Sequence, residues 1–121
     1  MNRLTKLRKI ANQLKHLPES REKHFSFIIR RNKILSIGWD SYKTHPLSAK
    51  FGYWGEVTHA ELSCLLNYNA PYQLNKLTFV NVRVSGGMAK PCANCMRLLK
   101  KYGVEEVWYT NPETEWAKCN T

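Results

Sequence analysis

Two short motifs constrain this chain more than any other feature of its sequence. The first is Thr58-His59-Ala60-Glu61, and the second is Lys90-Pro91-Cys92-Ala93-Asn94-Cys95, whose first cysteine lies 31 residues after Glu61. One imidazole and two thiolates make three zinc ligands, whereas a structural zinc site is normally closed by four. Three ligands leave a position for water, and zinc lowers the pKa of that water towards neutrality. Glu61 is not needed as a ligand, so its carboxylate is available to move protons.

The spacing within the motifs predicts how their residues meet. Cys92 and Cys95 share one face of a helix that Pro91 is suited to begin. A helix N-terminus also stabilises thiolates. His59 and Glu61 lie only two residues apart, so both reach one metal only if their helix points its N-terminus at that metal. Thr58 is the predicted N-cap of this helix.

Two other interpretations fit parts of the pattern. Glu61 lies three residues after Thr58, as in a capping box, which would give its carboxylate a purely structural role. That box explains neither His59 nor the cysteine pair. Alternatively, a fourth ligand would close the centre into a structural zinc site or a binding module without catalysis. The residues that could supply it are Cys64, Cys119, His24 and His45.

Length and charge bound the class of protein. A chain of 121 residues that is 43% hydrophobic predicts one domain, residues 1–121. No apolar run approaches the ~20 residues of a membrane span, and the basic N-terminus lacks the apolar segment of a signal peptide. We therefore expect a cytoplasmic, intracellular protein in which Cys64 and Cys119 are free thiols. The net charge of +10 favours polynucleotide phosphates as partners, the alternative being a merely soluble basic surface.

Hydrophobic periodicity predicts the order α, β-β, α, β, α, β. Helices are expected at residues 2–16, 58–68 and 92–102, the last with Gly103 as its C-cap. Strands are expected at residues 25–29, 34–39, 76–84 and 104–110. Strands separated by helices predict an α/β fold, in which helices cover both faces of a sheet that has parallel pairing late in the chain.

A long stretch without periodicity, residues 40–57, precedes His59 and carries the predicted substrate contacts. Asp40, Lys43, His45 and Trp54 belong to it. Aromatic rings stack on bases and cations hold phosphates in proteins that bind single strands. The alternative is that the aromatic side chains of this stretch only cover the edge of the core. Arg83, at the end of a predicted strand, would contact phosphate or would simply be an exposed residue.

The motifs His-Ala-Glu and Pro-Cys-x-x-Cys, with this order of elements, resemble the cytidine deaminase-like superfamily. It includes cytidine and deoxycytidylate deaminases, tRNA adenosine deaminases and polynucleotide deaminases, and the resemblance covers about residues 24–110. It implies a three-layer α/β/α fold with a mixed sheet of four to five strands. It also implies that His59, Cys92 and Cys95 hold Zn²⁺, that Glu61 shuttles protons, and that the amide of Ala60 contacts the base carbonyl.

The chain departs from the superfamily pattern at several points. Asp40 stands where these proteins usually have an Asn that contacts the target sugar. Lys43-Thr44-His45-Pro46 resembles a loop of compact viral and bacterial members. The usual fifth strand and its preceding helix have no clear sequence, so that strand is either missing or formed by residues 115–120. Neither Ser-Trp-Ser nor Glu precedes Pro91, so the subfamily stays open.

The leading hypothesis is a hydrolytic cytosine deaminase that acts on single-stranded nucleic acid, with DNA favoured over RNA. The first alternative is a deaminase of free cytidine nucleotides, in which Arg83 or Lys43 holds the phosphate. Further alternatives are adenosine deamination in RNA and a zinc-stabilised binding module without catalysis. The sequence context and the oligomeric state stay open.

Overall fold

Three helices and five strands make up the described part of the chain. The computed structural model describes residues 3–18, 23–31, 33–40, 59–68, 77–104 and 106–120. In chain order the elements are α1 (Arg3–Gln13), β1 (His24–Arg30), β2 (Lys33–Trp39), α2 (Ala60–Asn67), β3 (Thr78–Arg83), α3 (Ala93–Lys101), β4 (Glu106–Asn111) and β5 (Glu115–Asn120).

The strands form one mixed sheet in the order β2-β1-β3-β4-β5. β1 pairs antiparallel with both β2 and β3, and β4 pairs antiparallel with β5. The parallel pair is β3 with β4, and α3 makes the connection between them. The mixed sheet and its late parallel pair confirm the prediction from the order of elements, since parallel strands need a crossover.

Each face of the sheet packs against helices, which gives the three layers that were predicted. α1 covers one face, and the buried members of that core are Leu4, Leu7, Ala11, Phe25, Phe27, Ile29, Val80 and Val82. α2 and α3 cover the other, and the buried members of that core are Ile28, Leu62, Cys64, Leu65, Leu77, Phe79, Cys95, Leu98, Leu99, Val104 and Val107. The strand residues alternate between the two lists because successive side chains point to opposite faces.

Several element boundaries differ from the prediction. α1 ends at Gln13 rather than at residue 16, because the chain closes into turns over residues 14–16 ahead of Pro18. Residues 115–120 form the fifth strand, the second of the two outcomes left open by the sequence. Trp116 packs against the α1 side of the sheet and Cys119 against the other side, so this polar strand is held by long-range contacts.

α3 ends one residue earlier than predicted: Tyr102 is its C-cap, and Gly103, the predicted C-cap, is the residue after it. Gly103 has a φ of 86°, and its amide donates to the carbonyl of Lys100 over 3.0 Å. The Val104 amide donates to the carbonyl of Leu99, also over 3.0 Å. These two bonds make a Schellman motif, which needs the left-handed conformation that glycine adopts without strain.

Gly38 on β2 allows α2 to lie directly against the sheet. A Cβ atom at Gly38 would lie 2.6 Å from the carbonyl oxygen of Ala60 and 2.6 Å from Cα of Cys64, both backbone atoms of the helix. Only glycine leaves room for this approach, so Gly38 fixes where the first turn of α2 sits. None of the helices in the described ranges is long and apolar enough to cross a membrane.

Candidate metal centre and active site

His59, Cys92 and Cys95 meet where α2 and α3 begin. His59 is the N-cap of α2, Cys92 is the N-cap of α3, and Cys95 lies in the first turn of α3. Nδ1 of His59 lies 3.9 Å from Sγ of Cys92 and 3.6 Å from Sγ of Cys95. All three ligand atoms lie within 4.8 Å of one another.

These separations fit one zinc ion. Tetrahedral bonds of about 2.1 Å to nitrogen and about 2.3 Å to sulfur place the two ligand atoms about 3.6 Å apart. The observed nitrogen–sulfur distances of 3.6 and 3.9 Å are close to that value. Two soft thiolates and an imidazole are also the donor types that zinc prefers. The residues present therefore fit a zinc centre with three protein ligands.

Before a metal binds, the local charges favour the thiolate form of Cys92 and the protonated form of His59. Hydrogen bonds from Cys95 and His59 lower the pKa of the Cys92 thiol to about 3. The Cys95 amide contributes, since it donates to Sγ of Cys92 over 3.5 Å at the start of α3. The hydrogen bond with Cys92 and the charge of Glu61 raise the pKa of His59. A thiolate is thus already stabilised in the protein before any metal binds.

The described residues supply no fourth ligand. The only group of three or more potential ligand residues in those ranges is His59, Cys92 and Cys95. Cys64 is buried in the core, and that burial raises the pKa of its thiol to about 12. Cys119 lies on β5, an edge strand of the sheet, and is not part of that group. His24 lines the pocket but does not belong to the group either, and His45 lies outside the described residues.

Glu61 lies in the first turn of α2 and faces a pocket of about 220 Å³ beside the three ligands. Its side chain is 2% exposed. Asn81 Nδ2 donates to Oε2 of Glu61 over 3.1 Å, while Oε1 is buried with no hydrogen-bond partner among the described residues. His59, not Thr58, is the N-cap of α2, so Glu61 stands at the second helical position and not at the third, which a capping box requires. The pocket is lined by His24, Asp40, His59, Ala60, Glu61, Arg83, Lys90 and Cys92.

The predicted substrate contacts are divided between the pocket and the undescribed stretch. Ala60, Asp40 and Arg83, three of the predicted substrate contacts, line the pocket, and their contact with a substrate stays a prediction. Lys43, His45 and Trp54 lie outside the described residues, as does Thr58. Asp40 joins the end of β2 to the start of β1, because its Oδ1 accepts from the His24 amide over 3.2 Å.

Three residues around the pocket were missed from the sequence, and a fourth, His24, was considered only as a zinc ligand. His24 and Lys90 line the pocket, and Asn81 and Ser26 lie behind Glu61. The sequence did carry a signal for the last two. Each is a polar residue flanked by apolar neighbours in a strand, and such a residue is buried only when its hydrogen bonds are satisfied.

Thr110 at the end of β4 holds the loop that leads to Cys92. Its Oγ1 donates to the carbonyl of Gly87 over 2.7 Å and accepts from the Arg83 amide over 3.1 Å. Its carbonyl accepts from the Ala89 amide over 3.0 Å. The glycine-rich approach to the cysteines is therefore fixed to the sheet.

Comparison with solved structures supports the fold that the motifs imply. The dCMP deaminase of cyanophage S-TIM5, solved in complex with dCMP and dUMP, aligns with a TM-score of 0.61 and 17% identity over 87% of this chain and 78% of that one. The cytidine deaminase of Burkholderia pseudomallei aligns with a TM-score of 0.67 and 17% identity over 96% of this chain and 91% of that one. No protein-family profile and no curated protein sequence matches the chain. The chain thus has the cytidine deaminase-like fold, which the motif resemblance predicted.

Proposed function

We propose that the protein is a zinc-dependent hydrolytic deaminase that converts cytosine to uracil and releases ammonia. One observation carries the proposal: three side chains that could hold a metal ion lie beside the buried Glu61, whose Oε1 has no hydrogen-bond partner among the described residues. A structural zinc site would need a fourth protein ligand and would have no use for this carboxylate. The fold neighbours, a dCMP deaminase and a cytidine deaminase, support the same chemistry.

Each residue of the site has a distinct part in the proposed reaction. His59, Cys92 and Cys95 would hold Zn²⁺. When bound there, the ion supplies the means to make water nucleophilic near neutral pH. Glu61 would take a proton from the attacking water and pass it to N3 of the base, then deliver a second proton to the departing amine. The C4–oxygen bond forms as N3 is protonated, and the C4–nitrogen bond breaks once the amine has received its proton, so water and cytosine yield uracil and ammonia.

The other residues of the pocket would orient the base and its phosphate. The amide of Ala60 would donate to the base carbonyl. Arg83 and Lys90 bring two cations to a pocket that also contains Asp40. The pocket also contains Glu61, so its two cations already face two carboxylates. A phosphate on the substrate would accept charge-assisted hydrogen bonds from Arg83 and Lys90, and a bare nucleoside has no such group to offer them. We therefore propose a cytosine substrate that carries phosphate.

Two forms of that substrate remain, and a different observation favours each. Single-stranded DNA is favoured by the net charge of +10, since a small domain needs no such surplus to bind one nucleotide. A free nucleotide of the dCMP type is favoured by the S-TIM5 neighbour, which was solved with dCMP and dUMP. We take the polynucleotide as the leading form and the nucleotide as the second candidate.

Parallel assays on one preparation separate these forms. Zinc-loaded protein is incubated with a cytosine-containing DNA oligonucleotide, with dCMP, with cytidine and with an adenosine-containing RNA, and products are read by mass spectrometry. Glu61→Ala protein serves as the control for a contaminating deaminase. Uracil in the oligonucleotide, formed at a rate that falls steeply with salt, supports the polynucleotide form.

Each other outcome selects a different alternative. Uracil from dCMP alone supports the nucleotide form, and inosine in the RNA supports an adenosine deaminase. No ammonia from any of the four substrates by protein of full zinc content would contradict a deaminase and favour a zinc-stabilised binding module.

A further inference from the structure

We propose that Asn81 is a positioning residue for Glu61: it holds Oε2, so that Oε1 alone carries protons between water and the base. This inference rests on the proposed deaminase function and assigns different parts to the two oxygens of one carboxylate. The observations that carry it are the hydrogen bonds of Asn81, the burial of its partners and the contrast between the two carboxylate oxygens.

Asn81 makes three hydrogen bonds that fix the direction of its amide. Its Nδ2 donates to Oε2 of Glu61 over 3.1 Å and to the carbonyl oxygen of Ala89 over 3.2 Å. Ser26 Oγ donates to its Oδ1 over 2.6 Å. Neither Ala89 O nor an ionised carboxylate can donate, so the nitrogen of the amide must face them. Both hydrogens of Nδ2 are then used, and Ser26 holds the opposite end.

Burial makes this arrangement strong. Ser26 and Asn81 are 0% exposed, and Glu61 is 2% exposed, so bulk water does not compete for these bonds. Hydrogen bonds to a charged group are stronger in such surroundings than at the surface. Ser26 and Asn81 are also directly paired in the β1–β3 register, so the support comes from the sheet rather than from a loop.

The two oxygens of Glu61 have different surroundings. Oε2 has a donor in Asn81, and Oε1 is buried with no hydrogen-bond partner among the described residues. A carboxylate without such a bond could exchange its oxygens by rotation about its last side-chain torsion, which has a broad, roughly two-fold profile. With Oε2 held, Oε1 stays directed away from Asn81. Because Ala89 O is bonded to the same nitrogen, Asn81 also ties Glu61 to the loop that carries Cys92.

The first test compares Asn81→Leu with Asn67→Leu, a control on α2 whose Nδ2 donates to the carbonyl of Ile37 at the exposed side of the helix. We expect Asn81→Leu to lower kcat by about 10- to 100-fold, the loss of one hydrogen bond to a charged group, with KM within about twofold of wild type. Zinc content, measured by atomic absorption, should stay at the wild-type level. An unchanged kcat, or a loss of kcat together with zinc, would overturn the proposal.

A pair of serine variants tests whether the hydrogen bond from Ser26 helps to hold Asn81 in place. Ser26→Ala removes the donor to Asn81. Ser36→Ala, on the neighbouring strand β2, removes another buried hydroxyl, which donates to the carbonyl of Cys64 over 2.8 Å. Ser26→Ala should lower kcat by about 3- to 10-fold, since Oδ1 of Asn81 loses its partner, and Ser36→Ala should not. Equal effects from the two variants would show that only packing is involved and would overturn the role of Ser26.

A second measurement does not depend on activity. Nuclear magnetic resonance of wild-type protein should show one side-chain amide proton of Asn81 shifted downfield by the carboxylate. In Glu61→Ala that proton should move upfield, while the proton bonded to Ala89 stays in place. If neither proton moves, Asn81 does not hold Glu61. Because the shift is read without substrate, a protein that deaminates nothing would refute the proposed function and leave this result standing.

Discussion

Replacing Gly38 by alanine should displace the helix that carries Glu61. The added Cβ would lie 2.6 Å from the carbonyl oxygen of Ala60 and from Cα of Cys64, whereas ordinary contact begins at 3.4 Å. Both neighbours are backbone atoms of α2, so no side chain can rotate away to make room. The backbone nitrogen of Cys64 lies nearer still, so α2 must retreat from β2 by more than about 0.8 Å.

This displacement has two expected consequences of different size. Overpacking of this kind raises the energy of the folded state by about 1–3 kcal/mol, so the free energy of unfolding should fall by that amount. The retreat also moves Glu61 and the adjoining His59 relative to α3, because the three atoms nearest to a Cβ at Gly38 all belong to α2. A misplacement of about 1 Å in an active site can lower the rate by about 100-fold. The loss of activity should thus exceed the loss of stability.

Urea unfolding followed by circular dichroism would test the expected loss of stability. The expected loss of activity would be tested by kcat on the substrate that the parallel assays identify. Gly87→Ala is the matched control, because the nearest atom to a Cβ at Gly87 is the side-chain oxygen of Ser85 at 3.4 Å. That variant should change the free energy of unfolding by no more than about 0.5 kcal/mol. If Gly38→Ala has the same unfolding midpoint and kcat as Gly87→Ala, the reasoning from the close approach is wrong.

Three further predictions concern the pocket and the cysteines. Glu61→Ala should keep its zinc, measured by atomic absorption, and lose about 10²- to 10⁴-fold in kcat, because it removes the proton carrier but no ligand; retained turnover would contradict this role. Arg83→Gln should raise KM for the phosphorylated substrate and leave turnover of cytidine unchanged, and equal effects on both would exclude a phosphate contact. In metal-free protein the pKa of Cys92 is lowered to about 3, so its thiolate stabilises the fold above the ordinary thiol pKa, and this stabilisation is lost as the pH falls towards 3. Iodoacetamide at about pH 6 should then alkylate Cys92 before Cys64 or Cys119, whose pKa values are raised by burial, and peptide mass mapping would show the opposite order if this is wrong.

The metal group was predictable from sequence because its chemistry is local. Cys92 and Cys95 lie three residues apart on one helix, and His59 adjoins another, so two helix N-termini suffice to bring three ligand atoms within 4.8 Å. The N-cap was not predictable in the same way. Thr58 is the better capping residue by type, but His59 occupies the N-cap without making any side-chain capping bond.

The support for Glu61 was not predictable, because it depends on strand register. Ser26 and Asn81 are 55 residues apart in sequence. The sequence of neither strand indicates which residue of the other strand will pair with Ser26 or with Asn81. The polar strand β5 was uncertain for a related reason. Its anchors, Trp116 and Cys119, pack into cores made by distant residues, so its own sequence shows little of the apolar alternation that predicts a strand.

The register in which β1 pairs with β3 affects both the stability of the fold and the geometry of the site. Along the face that α2 and α3 cover, the paired residues change from Ile28 and Phe79, through Ser26 and Asn81, to His24 and Arg83. The first pair lies in the core, the second contains the partner of Glu61, and the third lines the pocket. A slip of one residue would exchange the two faces of one strand, so the side chains that now face α2 and α3 would face α1. It would bury Ser26 or Asn81 among apolar residues and break the hydrogen bond from Asn81 to Glu61. The pairing of β1 with β3 therefore fixes both the packing of the core and the position of the Glu61 carboxylate.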